Sequence, residues 1–157
     1  MKRFHQPHLL GHEGSGTVLE VESHVQHVKE GDKVVLHWRP RSGNVSLPPK
    51  YQWKGKPLNA SYVTTFNEYA IVSENRLTTI PADYSLEIAP LYGCAVPTGL
   101  GVRENNAKLK MGESLVVVGA GGVGLNIIQG AMLHLGHPIV AVDRFDNRLQ
   151  LSLEMGA

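Results

Sequence analysis

The clearest hydrophobic pattern in this chain is a run of four apolar residues, Leu115 to Val118, that leads directly into glycines. The run predicts a buried strand, and the glycines after it predict a turn. Beyond the turn, apolar residues recur at the spacing of an amphipathic helix. They are Val123, Ile127, Ala131 and Leu135. A second apolar run, Pro138 to Val142, predicts another strand, so the pattern as a whole indicates a βαβ unit.

The N-terminal part of the chain has short alternating or apolar stretches instead. Three of them, Thr17 to Val21, Lys33 to His37 and Glu68 to Val72, predict β-strands, with a turn at Gly31-Asp32 before the second. Between Arg39 and Thr65 neither a strand nor a helix period is present. We therefore expect a long excursion there, of the kind that is usually functional or mobile.

After Tyr84 the spacing becomes roughly helical, and Gly99 and Gly101 are predicted to end this helical bend. A last short helix is predicted from Asn147 to Met155. The chain is thus predicted to be β-rich first and βαβα afterwards. We place two domains at 1–95 and 96–157.

The glycine turn has the spacing of a dinucleotide-binding loop, with Gly119, Gly121 and Gly124 in the pattern G-x-G-x-x-G. Asp143 lies about 20 residues beyond Gly124, the spacing expected of the acid that binds the adenosine ribose. A helix that begins at Gly122 offers unpaired backbone N–H groups and a positive dipole end to a pyrophosphate. The alternative is a simple strand-to-helix turn without a ligand.

Composition narrows the class of protein. Apolar residues make up 42% of the 157 residues, charged residues 18%, and the net charge is +1. These values exclude a disordered chain and do not favour a nucleic acid partner. The single cysteine, Cys94, excludes an internal disulfide framework and favours a reducing compartment. No apolar stretch has the length of a signal peptide or membrane span, so we expect a cytoplasmic protein without a membrane partner.

The loop Gly11-His12-Glu13-Gly14-Ser15-Gly16 sets three glycines around a His-Glu pair, an arrangement that lets two side chains converge on one point. Taken alone, His12 could equally be a solvated histidine, and Cys94 could be a core residue on an apolar helix face. The other histidines are predicted to be structural or surface residues. They are His5, His8, His24, His27, His37, His134 and His137.

Several motifs occur together and in order. They are Gly11-His12-Glu13-x-x-Gly16, Gly31-Asp32-Lys33-Val34, Gly93-Cys94-x-x-x-Thr98-Gly99, the glycine loop and Asp143. With them the chain resembles the zinc-dependent, medium-chain alcohol dehydrogenase family over nearly its whole length. The resemblance implies an α/β protein with a β-rich part. A partial GroES-like β domain with a catalytic zinc would precede the first half of a Rossmann doubly wound parallel sheet that binds NAD.

The resemblance also assigns roles to single residues. His12 and Cys94 would be zinc ligands, Glu13 would lie beside the metal, and Thr98 would lie beside the nicotinamide. Trp38 falls where an aromatic wall of the substrate pocket would lie. The pyrophosphate would be held by Gly119, Gly121, Gly122, Val123 and Gly124. Asp143 would accept the ribose hydroxyls and Arg148 would lie near them, so NAD is favoured over NADP. The complete protein would exchange a hydride between NAD and an alcohol or aldehyde.

The chain departs from the family pattern at its ends and in one loop. The family's first zinc ligand and the rest of the Rossmann sheet are missing, so we expect a fragment that is marginally stable or forms a homo-oligomer. The segment Arg39 to Trp53 has no cysteine, which excludes a four-cysteine structural zinc site. Two alternatives stay open: a nucleotide-binding module without catalysis, or an inactive fragment of such an enzyme.

Overall fold

The structure is a computed structural model that describes residues 7–157, so the prediction for His5 lies outside the described residues. The chain divides into two compact units, Met1–Cys94 and Ala95–Ala157. In the first unit the strands are short and antiparallel. They are β1 (Gly14–Thr17), β2 (Lys33–Leu36), β3 (Tyr51–Trp53), β4 (Lys56–Leu58) and β5 (Leu77–Thr79).

The first unit is built on a sheet with the order β1-β2-β5. Gly14 pairs with Leu36, and Leu36 pairs on its other side with Leu77. Val34, Leu36 and Val63 form the buried core beside this sheet. The central strand β2 therefore provides both the core side chains and the backbone against which the neighbouring loops pack.

Two predicted strands of this unit are wrong. The first strand lies at Gly14–Thr17 rather than Thr17 to Val21, because β2 begins at Lys33 and offers no partner beyond Thr17. The stretch Glu68 to Val72 is not a strand, and its Tyr69 and Ile71 side chains are exposed. The edge of β2 is paired instead with Leu77–Thr79, whose run is too short to be detected by alternation.

The excursion after Arg39 is more ordered than its sequence suggested. It contains the hairpin of β3 and β4, in which Tyr51 pairs with Leu58. Its first part is held by the Glu74 carboxylate, which accepts hydrogen bonds from the backbone N–H groups of Asn44 (2.8 Å), Gln26 (2.7 Å) and His27 (2.6 Å). These bonds, that of Asn44 first, lower the pKa of Glu74 from 4.5 to about 2. A carboxylate thus organises the region where cysteines are absent.

The second unit contains the predicted βαβ arrangement. Its elements are α1 (Ala95–Gly101), a π-helical segment (Val102–Ala107), β6 (Leu115–Val118), α2 (Gly122–Leu133), β7 (Ile139–Val142) and α3 (Asp146–Glu154). Strands β6 and β7 are parallel, with Leu115 opposite Ile139 and Val118 opposite Val142. The core of this unit consists of Leu109, Val117, Ile128, Ala131 and Ile139.

The prediction that Leu115 to Val118 is a buried strand is wrong for half of its side chains. Val117 is buried at 5% exposure, whereas Val118 is 82% exposed. Val116 and Val118 lie opposite Val140 and Val142, and all four side chains are exposed. Within this unit only one face of the two-stranded sheet is covered, because a parallel sheet buries both faces only when helices pack on each of them.

The helices of this unit differ from their predicted form in two respects. Gly99 does not end the first helix, because α1 continues to Gly101 and a Cβ atom at Gly99 would overlap Asn126 of α2. The glycine thus permits close packing of two helices. On α2 the fully buried residues are Ile128 and Ala131, whereas Val123 at the start of the predicted stripe is exposed.

Candidate metal centre and dinucleotide loop

Three potential metal ligands converge in the first unit. The imidazole of His12, the carboxylate of Glu13 and the thiol of Cys94 each place one ligand atom within 4.8 Å of the other two. His12 is exposed, whereas Glu13 and Cys94 are partly buried. Among residues 7–157 this is the group of histidine, cysteine and acidic side chains that could hold an ion, and His8 is not part of it.

The strands explain why residues from opposite ends of this unit meet. His12 and Glu13 directly precede β1, whose first residue, Gly14, pairs with Leu36. Gly93 ends the 3-10 helix Ala89–Gly93, and a Cβ atom there would overlap the Leu36 carbonyl oxygen and lie 3.6 Å from the Glu13 Cα. Only glycine allows this approach, which brings Cys94 beside Glu13.

A second contact fastens the same two segments. The Ser15 hydroxyl on β1 donates a hydrogen bond of 2.5 Å to the Leu86 carbonyl oxygen, just before the 3-10 helix. The ligand loop and the segment that carries Cys94 are therefore joined both by backbone packing and by a side-chain hydrogen bond.

The donor set suits zinc. Imidazole nitrogen, thiolate sulfur and carboxylate oxygen are all zinc ligands, and tetrahedral coordination at 2.0 to 2.3 Å separates ligand atoms by roughly 3.3 to 3.8 Å. Three atoms that already lie within 4.8 Å need small side-chain movements to share one ion. In a catalytic zinc site one coordination position stays open for water or substrate.

Two further residues named from the sequence do not belong to this group of three potential ligands. Thr98 lies in α1 of the second unit and is partly buried. Trp38 follows β2 and is about half exposed, with the Arg39 guanidinium carbon 5.4 Å from its ring centroid. Their roles beside a nicotinamide and a substrate stay predictions. His37, predicted to be structural, is buried, and its ring nitrogens lie 2.7 Å from the Arg39 carbonyl oxygen and 3.0 Å from the Thr78 hydroxyl.

The glycine loop connects β6 to α2. The Gly119 N–H donates a hydrogen bond of 2.7 Å to the Val142 carbonyl oxygen of β7, and α2 begins at Gly122 with no side-chain cap. A Cβ atom at Gly124 would overlap the Gly119 carbonyl oxygen, so the third glycine allows the helix to pack against the start of the loop. The N–H groups of the first helical turn have no partner within the helix and can receive an anion.

Asp143 is tied to this loop by contacts that its sequence position did not reveal. One carboxylate oxygen accepts a hydrogen bond from the Ala120 N–H (2.8 Å), the other from the Phe145 N–H (3.1 Å), and the side chain is only 6% exposed. Burial opposes its ionisation, but the N–H groups of Ala120, Phe145 and Arg144 outweigh burial and lower the pKa of Asp143. The carboxylate therefore stays charged and fixes the loop.

Positive charge surrounds the same carboxylate. The Arg148 guanidinium lies 3.6 Å from Asp143 and 4.9 Å from the centroid of the Phe145 ring, and the Arg144 guanidinium lies 5.3 Å from that ring. Acid and base thus lie together beyond β7, next to the glycine loop. The sequence placed Asp143 and Arg148 here, but only the fold shows that they form an ion pair.

The chain matches known proteins over almost its whole length. A family model of the alcohol dehydrogenase GroES-like domain matches residues 1–82. S-(hydroxymethyl)glutathione dehydrogenase of Escherichia coli O1:K1 / APEC is 33% identical over an alignment 176 positions long. The alignment covers 96% of this chain and 48% of the relative. The chain spans about half the length of the curated relatives it matches.

Solved structures give the same result. An alcohol dehydrogenase zinc-binding domain protein from Burkholderia ambifaria superposes with a TM-score of 0.84 at 29% identity, covering 97% of this chain and 48% of that chain. Benzyl alcohol dehydrogenase from Acinetobacter calcoaceticus superposes with a TM-score of 0.84 at 28% identity, covering 99% and 49%.

The fold and the comparisons define the class: an α/β protein with a β-rich GroES-like part, followed by a βαβα arrangement, as predicted. The chain belongs to the alcohol dehydrogenase GroES-like domain family, and its homologues are zinc-dependent alcohol dehydrogenases. In the described part of the chain, no helix is long and apolar enough to cross a membrane.

Proposed function

We propose that this chain supplies the metal centre and the dinucleotide loop of a zinc-dependent alcohol dehydrogenase that exchanges a hydride between an alcohol or aldehyde and NAD. The observation that carries the proposal is the convergence of His12, Glu13 and Cys94 within 4.8 Å. The two domains, 1–95 for the metal and 96–157 for the nucleotide, are part of the same proposal. A cytoplasmic location and a homo-oligomer stay predictions.

In this proposal His12 and Cys94 hold zinc as neutral imidazole and thiolate, and Glu13 lies beside the ion. Zinc bound there would supply Lewis acidity, which favours deprotonation of an alcohol near neutral pH. Thiolate and neutral imidazole are the forms that bind a metal, so protons compete with the ion for such ligands. We therefore expect metal affinity to decrease as the pH is lowered.

In the nucleotide unit, the N–H groups of Gly122, Val123 and Gly124 would bind the pyrophosphate, with Gly119 and Gly121 shaping the turn. Asp143 would accept the ribose hydroxyls and repel a 2′-phosphate, which favours NAD over NADP. Arg148 lies 3.6 Å from Asp143 and reduces that repulsion, so the preference is expected to be weak. Thr98 would position the nicotinamide.

The test uses Co²⁺ in place of spectroscopically silent zinc, since a cobalt–thiolate bond absorbs light. We expect one Co²⁺ per chain, with an absorption band that depends on Cys94. His12→Ala should weaken binding by more than about 100-fold, beyond the range for residues that only orient a ligand. His134→Ala, at an exposed histidine of the second unit, is the matched control.

A second titration with NADH and NADPH tests the nucleotide half. NADH binding without any Co²⁺ band would refute the metal centre and leave a nucleotide-binding module without catalysis. Binding of neither ligand would reduce the chain to an inactive member of the family.

A further inference from the structure

The His12–Glu13 loop is flanked by two glycines that both contact the side chain of Thr65. Gly11 has a φ of +93°, and a Cβ atom there would overlap the Thr65 hydroxyl oxygen and lie 2.9 Å from the Phe66 nitrogen. A Cβ atom at Gly14 would lie 2.7 Å from the Thr65 Cγ2. Each branch of one β-branched side chain therefore contacts one end of the loop.

The backbone of Thr65 is itself fixed to the chain just before the loop. The N–H groups of Thr65 and Phe66 both donate hydrogen bonds of 3.2 Å to the Leu10 carbonyl oxygen. Val63 and Thr64, which precede Thr65, are almost completely buried. The side chain that contacts the two glycines is thus presented from a segment anchored in the core.

The Thr65 hydroxyl contributes by its shape. Its oxygen is buried and makes no hydrogen bond to any residue of the described chain. Burying a hydroxyl without a partner is unfavourable, so a hydrogen bond is not what this position provides. The hydroxyl oxygen comes closest to Gly11 and the Cγ2 comes closest to Gly14, and a β-branched side chain is stiff about χ1.

We propose that Thr65 is a positioning residue for the metal centre, which holds both ends of the His12–Glu13 loop so that the His12 imidazole faces Cys94. The proposal rests on the proposed zinc site, because it concerns how the ligands of that site are oriented. Residues that orient metal ligands typically change metal affinity by about 10- to 100-fold when they are removed.

The test is Co²⁺ titration of Thr65→Ala, Thr65→Ser and Thr65→Val in the full chain, followed by the cobalt–thiolate and visible bands. We expect Thr65→Ala to weaken Co²⁺ binding by about 10-fold or more. Thr65→Ser keeps the hydroxyl beside Gly11 and loses only the Cγ2, the atom that comes closest to Gly14, so it should give a smaller loss. Thr65→Val keeps both branches and should bind Co²⁺ as the unaltered chain does.

Thermal melting of the metal-free proteins and the exposed variant Thr79→Ala serve as controls. A loss of Co²⁺ affinity and a changed visible spectrum in Thr65→Ser, at an unchanged melting temperature, support positioning. The positioning role is overturned if all three Thr65 variants bind Co²⁺ as tightly as the unaltered chain. It is also overturned if Thr65→Val loses as much Co²⁺ affinity as Thr65→Ala, because the effect would then belong to the hydroxyl. If the unaltered chain shows no cobalt–thiolate band, the zinc site itself is refuted, and the positioning role with it.

Discussion

The two units of this chain assemble their candidate sites in opposite ways. In the second unit, the glycine loop, the start of α2 and Asp143 all belong to one βαβ arrangement, and β7 brings the acid to the loop. In the first unit, His12 and Cys94 lie near opposite ends of the unit's sequence. They meet only because both of their segments pack on β2.

The two candidate sites therefore differ in whether neighbouring residues or contacts between distant segments determine their geometry. The loop between β6 and α2 is specified by closely spaced residues, so its sequence alone predicts the strand, the turn and the helix that form it. The metal centre depends on single close contacts such as that between Gly93 and Leu36, which no local pattern reveals. Variants at such contacts should therefore impair ligand binding in one unit and leave binding in the other unit unchanged.

The largest effect is expected from Gly124→Ala. The new Cβ would overlap the Gly119 carbonyl oxygen and push α2 away from the loop, destabilising the second unit by about 1 to 3 kcal/mol, the usual range for overpacking. NADH binding, followed by fluorescence, should be lost while Co²⁺ binding is retained. Leu133→Ala, at an exposed position near the end of α2, is the control for folding. Loss of the Co²⁺ band in Gly124→Ala would show that the units are not independent.

Gly93→Ala should give the converse result. Its Cβ would overlap the Leu36 carbonyl oxygen and displace Cys94 from Glu13, so Co²⁺ affinity should fall by about 10- to 100-fold. NADH affinity should not change. Gly16→Ala on β1, where a Cβ has no neighbour within 4 Å, is the matched control. Unaltered Co²⁺ binding by Gly93→Ala would contradict the packing argument for this centre.

Asp143→Asn sharpens the account of the nucleotide half. The change removes the negative charge that would repel a 2′-phosphate and leaves Arg148 without its ion-pair partner, so NADPH binding should improve severalfold relative to NADH. Parallel titrations with both nucleotides measure this ratio. If the ratio of NADPH to NADH affinity does not change, the charge of Asp143 does not determine cofactor preference. Its role would then be limited to the hydrogen bond from the Ala120 N–H.

The smallest effect is expected from Glu74→Gln, which tests the first unit away from its ligands. The pKa of Glu74 is lowered from 4.5 to about 2, so its carboxylate stabilises the folded unit above pH 4.5, and this stabilisation is lost as the pH falls towards 2. Glu74→Gln should lower the melting temperature at pH 7 and flatten its decrease between pH 4.5 and 2. A parallel decrease in both proteins would show that Glu74 is not the group that titrates.

Prediction from sequence succeeded where the signal was local. The parallel strands, the helix that begins at Gly122 and the short last helix all follow from period and glycine spacing, and they lie close to where they were predicted. Prediction failed where strand pairing decides whether a segment is a strand. Glu68 to Val72 has the pattern of a strand but no partner strand, whereas Leu77–Thr79 pairs with β2 without a clear pattern. It also failed at Gly99, because a glycine that ends a helix and one that admits a neighbouring helix look the same in sequence.

The sequence by itself determined the order of elements in the second unit, the glycine loop with the acid that follows it, and the identity of the residues that could bind metal. The tertiary structure decided that His12, Glu13 and Cys94 converge, that Glu74 holds the cysteine-free excursion, and that Asp143 is bonded to the loop it follows. Periodicity and spacing act over a few residues and are visible in the chain. Contacts between distant segments depend on which backbones approach closely. In the first unit this is decided by the pairing of β2 with β1 on one side and β5 on the other.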